Sequence, residues 1–123
     1  MHTTETLASN LVKTSNVIGV DVKNAAKEDL GKIEEIILHK TSGNVCYVVL
    51  SFGGILGMGD KLFSIPWNAI HYDNEDRCFI LNVDKEKLKR APGFDKDNWP
   101  DMADETWGAE IYKFYETKPY WKE

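Results

Sequence analysis

Residues 45–52, Val-Cys-Tyr-Val-Val-Leu-Ser-Phe, constrain the fold of this chain more than any other stretch. Nearly every position is β-branched, aromatic or aliphatic, on both alternating sets. A strand made from them is hidden from water on both faces, so it belongs in the middle of a structure. Just before it, Thr-Ser-Gly-Asn at 41–44 reads as a tight turn, with Gly43 free to take a positive φ. Before that turn, Gly31 opens Gly-Lys-Ile-Glu-Glu-Ile-Ile-Leu-His-Lys. Ile33 is followed by Ile36 and Leu38, which breaks strict alternation by one residue. A β-bulge near Glu34 and Glu35 restores the phase. A short helix competes for this segment, because Glu and Lys favour one. The pair predicts a hairpin over residues 31–52.

The rest of the chain is read around that hairpin. Residues 1–15 are polar and small and read as a flexible arm. Val20 and Val22 alternate between turn residues and predict a first strand. Residues 25–32 are too short and polar for a packed helix and read as a turn. Lys61 to Trp67 alternates, and Pro66 ends that strand or places it at an edge, because proline donates no ladder hydrogen bond. Residues 69–84 read as a second hairpin around Asp-Asn-Glu-Asp, with Phe79, Leu81 and Val83 on one face. Asp84 caps a short helix that Pro92 and Gly93 stop. Trp107, Ile111, Phe114 and Tyr115 fall at helical spacing, with Asp104 or Asp101 as the cap. The sum is five or six short strands and then a little helix, which means a small barrel or sandwich.

A chain of 123 residues fits one domain, and its net charge of −5 argues against a domain that works by neutralising nucleic-acid phosphates. No apolar run approaches the roughly 20 residues of a membrane span. The polar N-terminal stretch lacks a signal-peptide core, so the expected location is cytoplasmic. Cys46 and Cys78 both fall in strands and read as buried thiols.

No motif predicts catalysis. The stretch Gly53-Gly54-Ile55-Leu56-Gly57-Met58-Gly59 looks like a phosphate-binding loop at first sight. It lacks the third glycine of the dinucleotide fingerprint and the Gly-Lys-Ser/Thr of a P-loop, and a strand follows it instead of a helix. It reads as a connection with exposed apolar tips. Asp95 and Asp97 begin like a calcium loop, but Trp99 stands where a ligand belongs and Pro100 where the turn glycine belongs. His2, His39 and His71 have no metal-ligand spacing. The reading therefore assigns no catalytic residue, no cofactor and no metal. The feature with functional colour is the last quarter of the chain. It sets six acids against one lysine between Asp95 and Glu110, and then a dense run of aromatics.

The chain resembles the PRC-barrel domain family. The resemblance rests on Gly31-Lys32-Ile33, on the run from Gly43 through Val45, Tyr47 and Val49 to Leu50-Ser51, on the glycine loop at 53–59, and on Ile65-Pro66-Trp67. The segment at 91–104 and Pro119-Tyr120-Trp121 resemble single-domain bacterial members. His39 departs from the acidic residue that related chains often carry. The resemblance implies an all-β fold: a small PRC-type β-barrel of five to six antiparallel strands over residues 16–92, with a short helical C-terminal extension, acidic and aromatic, over 93–123. Similar domains form the cytoplasmic part of the photosynthetic reaction-centre H subunit and the C-terminal part of a ribosome maturation factor, where the barrel docks and does not catalyse. The expectation is a non-enzymatic protein–protein interaction module of unidentified partner that self-associates, as a homodimer or small oligomer, through Ile55, Leu56, Met58, Trp99, Tyr120 and Trp121. The alternative is a small-ligand or metal-binding protein, with a pocket between barrel and tail near His71, Tyr72 and Asp95.

Overall fold

A computed structural model describes residues 11–53 and 60–122. The chain forms a short helix α1 (Thr14–Val17), strands β1 (Asp21–Lys23), β2 (Asp29–Leu38), β3 (Val45–Gly53) and β4 (Asp60–Pro66), and a 3₁₀ turn at Trp67–Ala69. Strands β5 (Ile70–Asp73) and β6 (Cys78–Leu81), helix α2 (Lys85–Lys89), strand β7 (Gly93–Phe94) and helix α3 (Glu105–Phe114) follow.

The strands make one sheet in the order β5-β6-β1-β2-β3-β4-β7. Strand β3 lies between β2 and β4, and Cys46 to Leu50 are all buried, as its two apolar faces require. The bulge expected in β2 is present: Ile33 pairs with Leu50 and Glu35 with Val49, leaving Glu34 as the extra residue. A second slip was not foreseen. Ile37 pairs with Tyr47 but Leu38 with Val45, so the register skips Cys46 on β3. Gly43 closes the hairpin at φ +82°, donating its N–H to the His39 carbonyl at 2.7 Å. Strand β4 ends at Pro66, and β5 and β6 pair around 73–78, where Asp73 Oδ1 accepts from the Glu75 N–H. Asp84 caps α2 by accepting from the Lys87 N–H at 2.7 Å.

Two expectations are corrected. Among the described residues the strands number seven, not five to six, because the two residues of β7 add to β4 at Leu62 and Phe63. They are not all antiparallel: β1 runs parallel to β6, pairing Val22 with Phe79 and Lys23 with Ile80. Helix α1 at Thr14–Val17 seats Val17 in the core.

Asn24, only 3% exposed, ties the β1–β2 turn down. Its Oδ1 accepts from the Ala26 and Glu28 N–H groups, and its Nδ2 donates to Glu28 Oε1 and to the Val83 carbonyl.

The sheet is strongly curled. Strands β4 and β5 stand five places apart in the ladder, about 24 Å if the sheet were flat. Yet only Trp67–Ala69 links them, and the four Cα steps from Pro66 to Ile70 reach at most about 14 Å. Trp67, just past β4, meets Phe79 of β6 with ring centroids 6.1 Å apart. Among the described residues the hydrogen-bonded ladder does not close from β5 to β7. One apolar cluster fills the curl, and Ile111, Tyr112 and Tyr115 from the C-terminal segment belong to it alongside Leu30, Ile33, Leu50, Phe63 and Leu81.

Candidate functional site

The second slip in register organises the site. It leaves the Cys46 carbonyl out of the regular ladder, in a buried position. Tyr112 of α3 serves it: the phenol O–H donates to the Cys46 carbonyl at 2.8 Å. Helix α3 reaches that depth because Gly108 faces β3. A Cβ there would stand 2.7 Å from Tyr47 Oη and 3.0 Å from the Trp121 ring. Asp104 starts the helix by accepting from the Thr106 N–H at 2.9 Å.

Past α3 the chain turns back. Glu116 takes φ +58°, and the Thr117 N–H donates to the Tyr112 carbonyl at 3.0 Å. The return lays Tyr120 and Trp121 on their own helix. Tyr47 is the hub, with ring centroids 5.5 Å from Trp107, 5.4 Å from Tyr112 and 6.1 Å from Tyr120. Trp121 stands 5.8 Å from Tyr112 and 5.0 Å from Tyr120. Burial raises the pKa of Tyr47, Tyr112 and Tyr115 well above that of a free phenol, and raises those of the Tyr120 phenol and both cysteine thiols as well. Among the described residues the Tyr47 and Tyr115 hydroxyls have no hydrogen-bond partner.

Two grooves flank Tyr120. The larger, about 450 Å³, lies between the β2–β3 turn (Gly43, Asn44, Val45), the 3₁₀ turn (Trp67, Asn68) and the returning tail (Lys118, Pro119, Tyr120, Lys122). Two aromatic rings (Trp67 and Tyr120), two amide side chains and two lysines line it, and among the described residues no acid does. The smaller, about 280 Å³, runs between the end of β2 and Met102-Ala103, with Cys46 and Tyr47 at its base. His39 also lines it, with Nδ1 accepting from the Ser42 N–H at 3.2 Å.

The expected site residues part company. Tyr120 and Trp121 come together, half-buried against their own chain. Trp99 lies apart from them, 40% exposed, with its ring 5.0 Å from Phe94. Ile55, Leu56 and Met58 fall outside the described residues. His71, Tyr72 and Asp95, the expected pocket, line neither groove; His71 and Tyr72 are exposed on the edge strand β5. Among the described residues no three of His, Cys, Asp and Glu converge as metal ligands would. Lys118 and Lys122 were not singled out from sequence, although they bracket Pro-Tyr-Trp and so mark a cationic edge to the aromatic run.

A family model described as the PRC-barrel domain matches residues 10–88. The chain belongs to the PRC-barrel family. A search of curated proteins finds no match to it. The PRC-barrel match includes Gly43, Asn44, Val45, Trp67 and Asn68, one wall of the larger groove. It ends before α3 and the tail that build the other wall. Among the described residues no helix is long and apolar enough to cross a membrane.

Proposed function

We propose that this PRC-barrel protein is a non-enzymatic docking module that binds proteins, including further copies of itself. The curl that brings β4 beside β5 supports reading the sheet as the family's barrel, with α3 laid over β3 and the tail returning along it. The observation that carries the functional reading is the form of the larger groove. Trp67 and Tyr120 line it together with the exposed Lys118 and Lys122. That is the make-up of a contact surface, where aromatic anchors supply affinity and rim charges steer the encounter. Within it the described residues offer no nucleophile beside a base.

Measuring molar mass by light scattering over a wide concentration range tests the self-association. In parallel, the native cell is crosslinked, and captures by wild type and by a K118E/K122E variant are compared by mass spectrometry. The reading expects a rising mass, or a defined partner that the variant loses. A constant monomer mass with identical captures overturns it.

A small-ligand reading has one observation in its favour, the size of the same groove, which falls within the usual range for small-molecule sites of about 300–1,000 Å³. A thermal-shift screen of metals and metabolites separates the two. A ligand at a hundredfold excess over its Kd adds about 2.7 kcal/mol of stability, and such a shift would favour this second reading.

A further inference from the structure

We infer that the larger groove receives the acidic loop at 95–104 of a second copy of this chain, with Trp99 as the inserted anchor; this rests on the docking reading above. The two surfaces are complementary in charge. The groove presents Lys118 and Lys122, both exposed, in neither case paired with an acid among the described residues. They line the groove together with Trp67 and Tyr120. The loop presents Asp95, Asp97, Asp101 and Asp104, all exposed, against the single cation Lys96.

At the centre of that loop stands Trp99. Phe94 supports one side of its ring, and 40% of the residue is left to solvent. A large aromatic held on a turn by a neighbouring ring has already lost most of its side-chain freedom, so docking it fixes little more. Tryptophan in the midst of polar groups is also the residue type that most often dominates a contact. The loop keeps its shape in the free chain: the Asn98 N–H donates to the Asp95 carbonyl at 2.9 Å, and Asp101 Oδ1 accepts from the Ala103 N–H at 3.1 Å.

The chain's net charge of −5 makes the choice of surface informative. Two copies repel over most of their area. A positive groove against a negative loop is the juxtaposition that offsets this, and it sets the orientation of approach. Each copy carries one loop and one groove, so a two-fold pair engages both at once.

Sedimentation velocity on the full chain tests this, from micromolar to near-millimolar concentration and at low and high salt. Four variants are compared: W99A, K118E/K122E, D95K/D97K and the combination of the two double reversals. The side chains of Lys118, Lys122, Asp95 and Asp97 are exposed and hold no structural hydrogen bond among those described, so folding is unchanged by circular dichroism. Wild type is expected to associate, less so at high salt, where the screening length falls from about 10 Å at 0.1 M to about 3 Å at 1 M. Each double reversal should weaken association at least about tenfold, and W99A roughly thirtyfold. The combined reversal should return it to near the wild-type value, because attraction is restored with its sign exchanged. Association that ignores all four variants overturns this inference and leaves the docking reading standing. A chain that stays monomeric throughout overturns this inference and the self-association on which it rests.

Discussion

Two tyrosines that touch should respond to the same substitution with opposite signs. Tyr47 and Tyr112 pack with ring centroids 5.4 Å apart, and each is at least 98% buried. Tyr112 donates to the Cys46 carbonyl at 2.8 Å, while the Tyr47 hydroxyl has no partner among the described residues. Tyr→Phe keeps the ring and removes only the oxygen, so packing changes little in either variant. In Tyr112→Phe the carbonyl that the register slip left out of the ladder loses its donor. A buried polar group left unmade costs about 1–3 kcal/mol, and the loss here is expected at about 1–2 kcal/mol. In Tyr47→Phe a hydroxyl that was stripped of water and given nothing in return is removed. Stability should rise by about 0.5–1 kcal/mol. Urea denaturation with a shared m-value reads both shifts, and melting temperatures should separate by several degrees, at about 3–5 °C per kcal/mol for a domain of this size. If Tyr47→Phe destabilises by 1 kcal/mol or more, the Tyr47 hydroxyl has a partner and the reasoning fails. If Tyr112→Phe is neutral, the Cys46 carbonyl is satisfied within the sheet, and the account of how α3 is held is wrong.

Further outcomes follow from other positions. Gly31→Ala should cost about 3 kcal/mol or more by chemical denaturation, because Gly31 holds φ +118° and a Cβ would overlap the Ser51 carbonyl oxygen. Gly43→Ala, at φ +82° with nothing within 4 Å, should lose only about 1–2 kcal/mol from backbone strain; equal losses would refute the steric argument. Asn24→Asp keeps the two acceptor bonds but sets a carboxylate against the Val83 carbonyl and the Glu28 carboxylate, so it should destabilise by about 2–3 kcal/mol at neutral pH. That loss should shrink as pH falls and the new acid protonates, and a loss independent of pH would count against it. Alkaline titration followed by phenolate absorbance should leave Tyr47, Tyr112 and Tyr115 protonated at pH values where a free phenol, near 10, is ionised. Because their folded pKa values are raised, their contribution to stability is complete below about pH 10 and declines as pH rises above it. Ionisation of all five tyrosines before any unfolding would contradict the burial described.

What the sequence revealed was local, and what it hid was relational. The break in alternation between Ile33 and Ile36 announces the bulge, because period-2 geometry gives a phase slip no other outlet in a strand. Pro66 and Gly43 fix an end and a turn for equally local reasons. The parallel meeting of β1 with β6 depends on which short strand reaches which neighbour, and no spacing encodes that. Strand β7 is two residues long and carries no period at all. The helical pattern at 107–115 was visible, but it pointed to Phe114, which is half-buried, and passed over Tyr112, which is fully enclosed. The deciding partner is Tyr47, some sixty residues earlier, whose ring needs the notch that Gly108 leaves. The groove lysines escaped notice for a related reason: a lysine beside an aromatic run is ordinary until the chain is seen to fold back beside Trp67.

This arrangement constrains how the surface can be tested. Tyr120 walls both grooves, yet it also packs on Tyr47, Tyr112 and Trp121, and α3 contributes Ile111 and Tyr112 to the one core. Deleting the tail, or replacing Tyr120, therefore removes part of the fold along with part of the surface, and lost binding would then report unfolding. Lys118 and Lys122 line the groove from outside that aromatic stack and are exposed, as Asp95, Asp97 and Trp99 are on the acidic loop. Charge reversal at those exposed positions alters what the surface attracts without altering what the core contains. Recovery on restoring opposite signs is then a signature that damage to the fold cannot imitate.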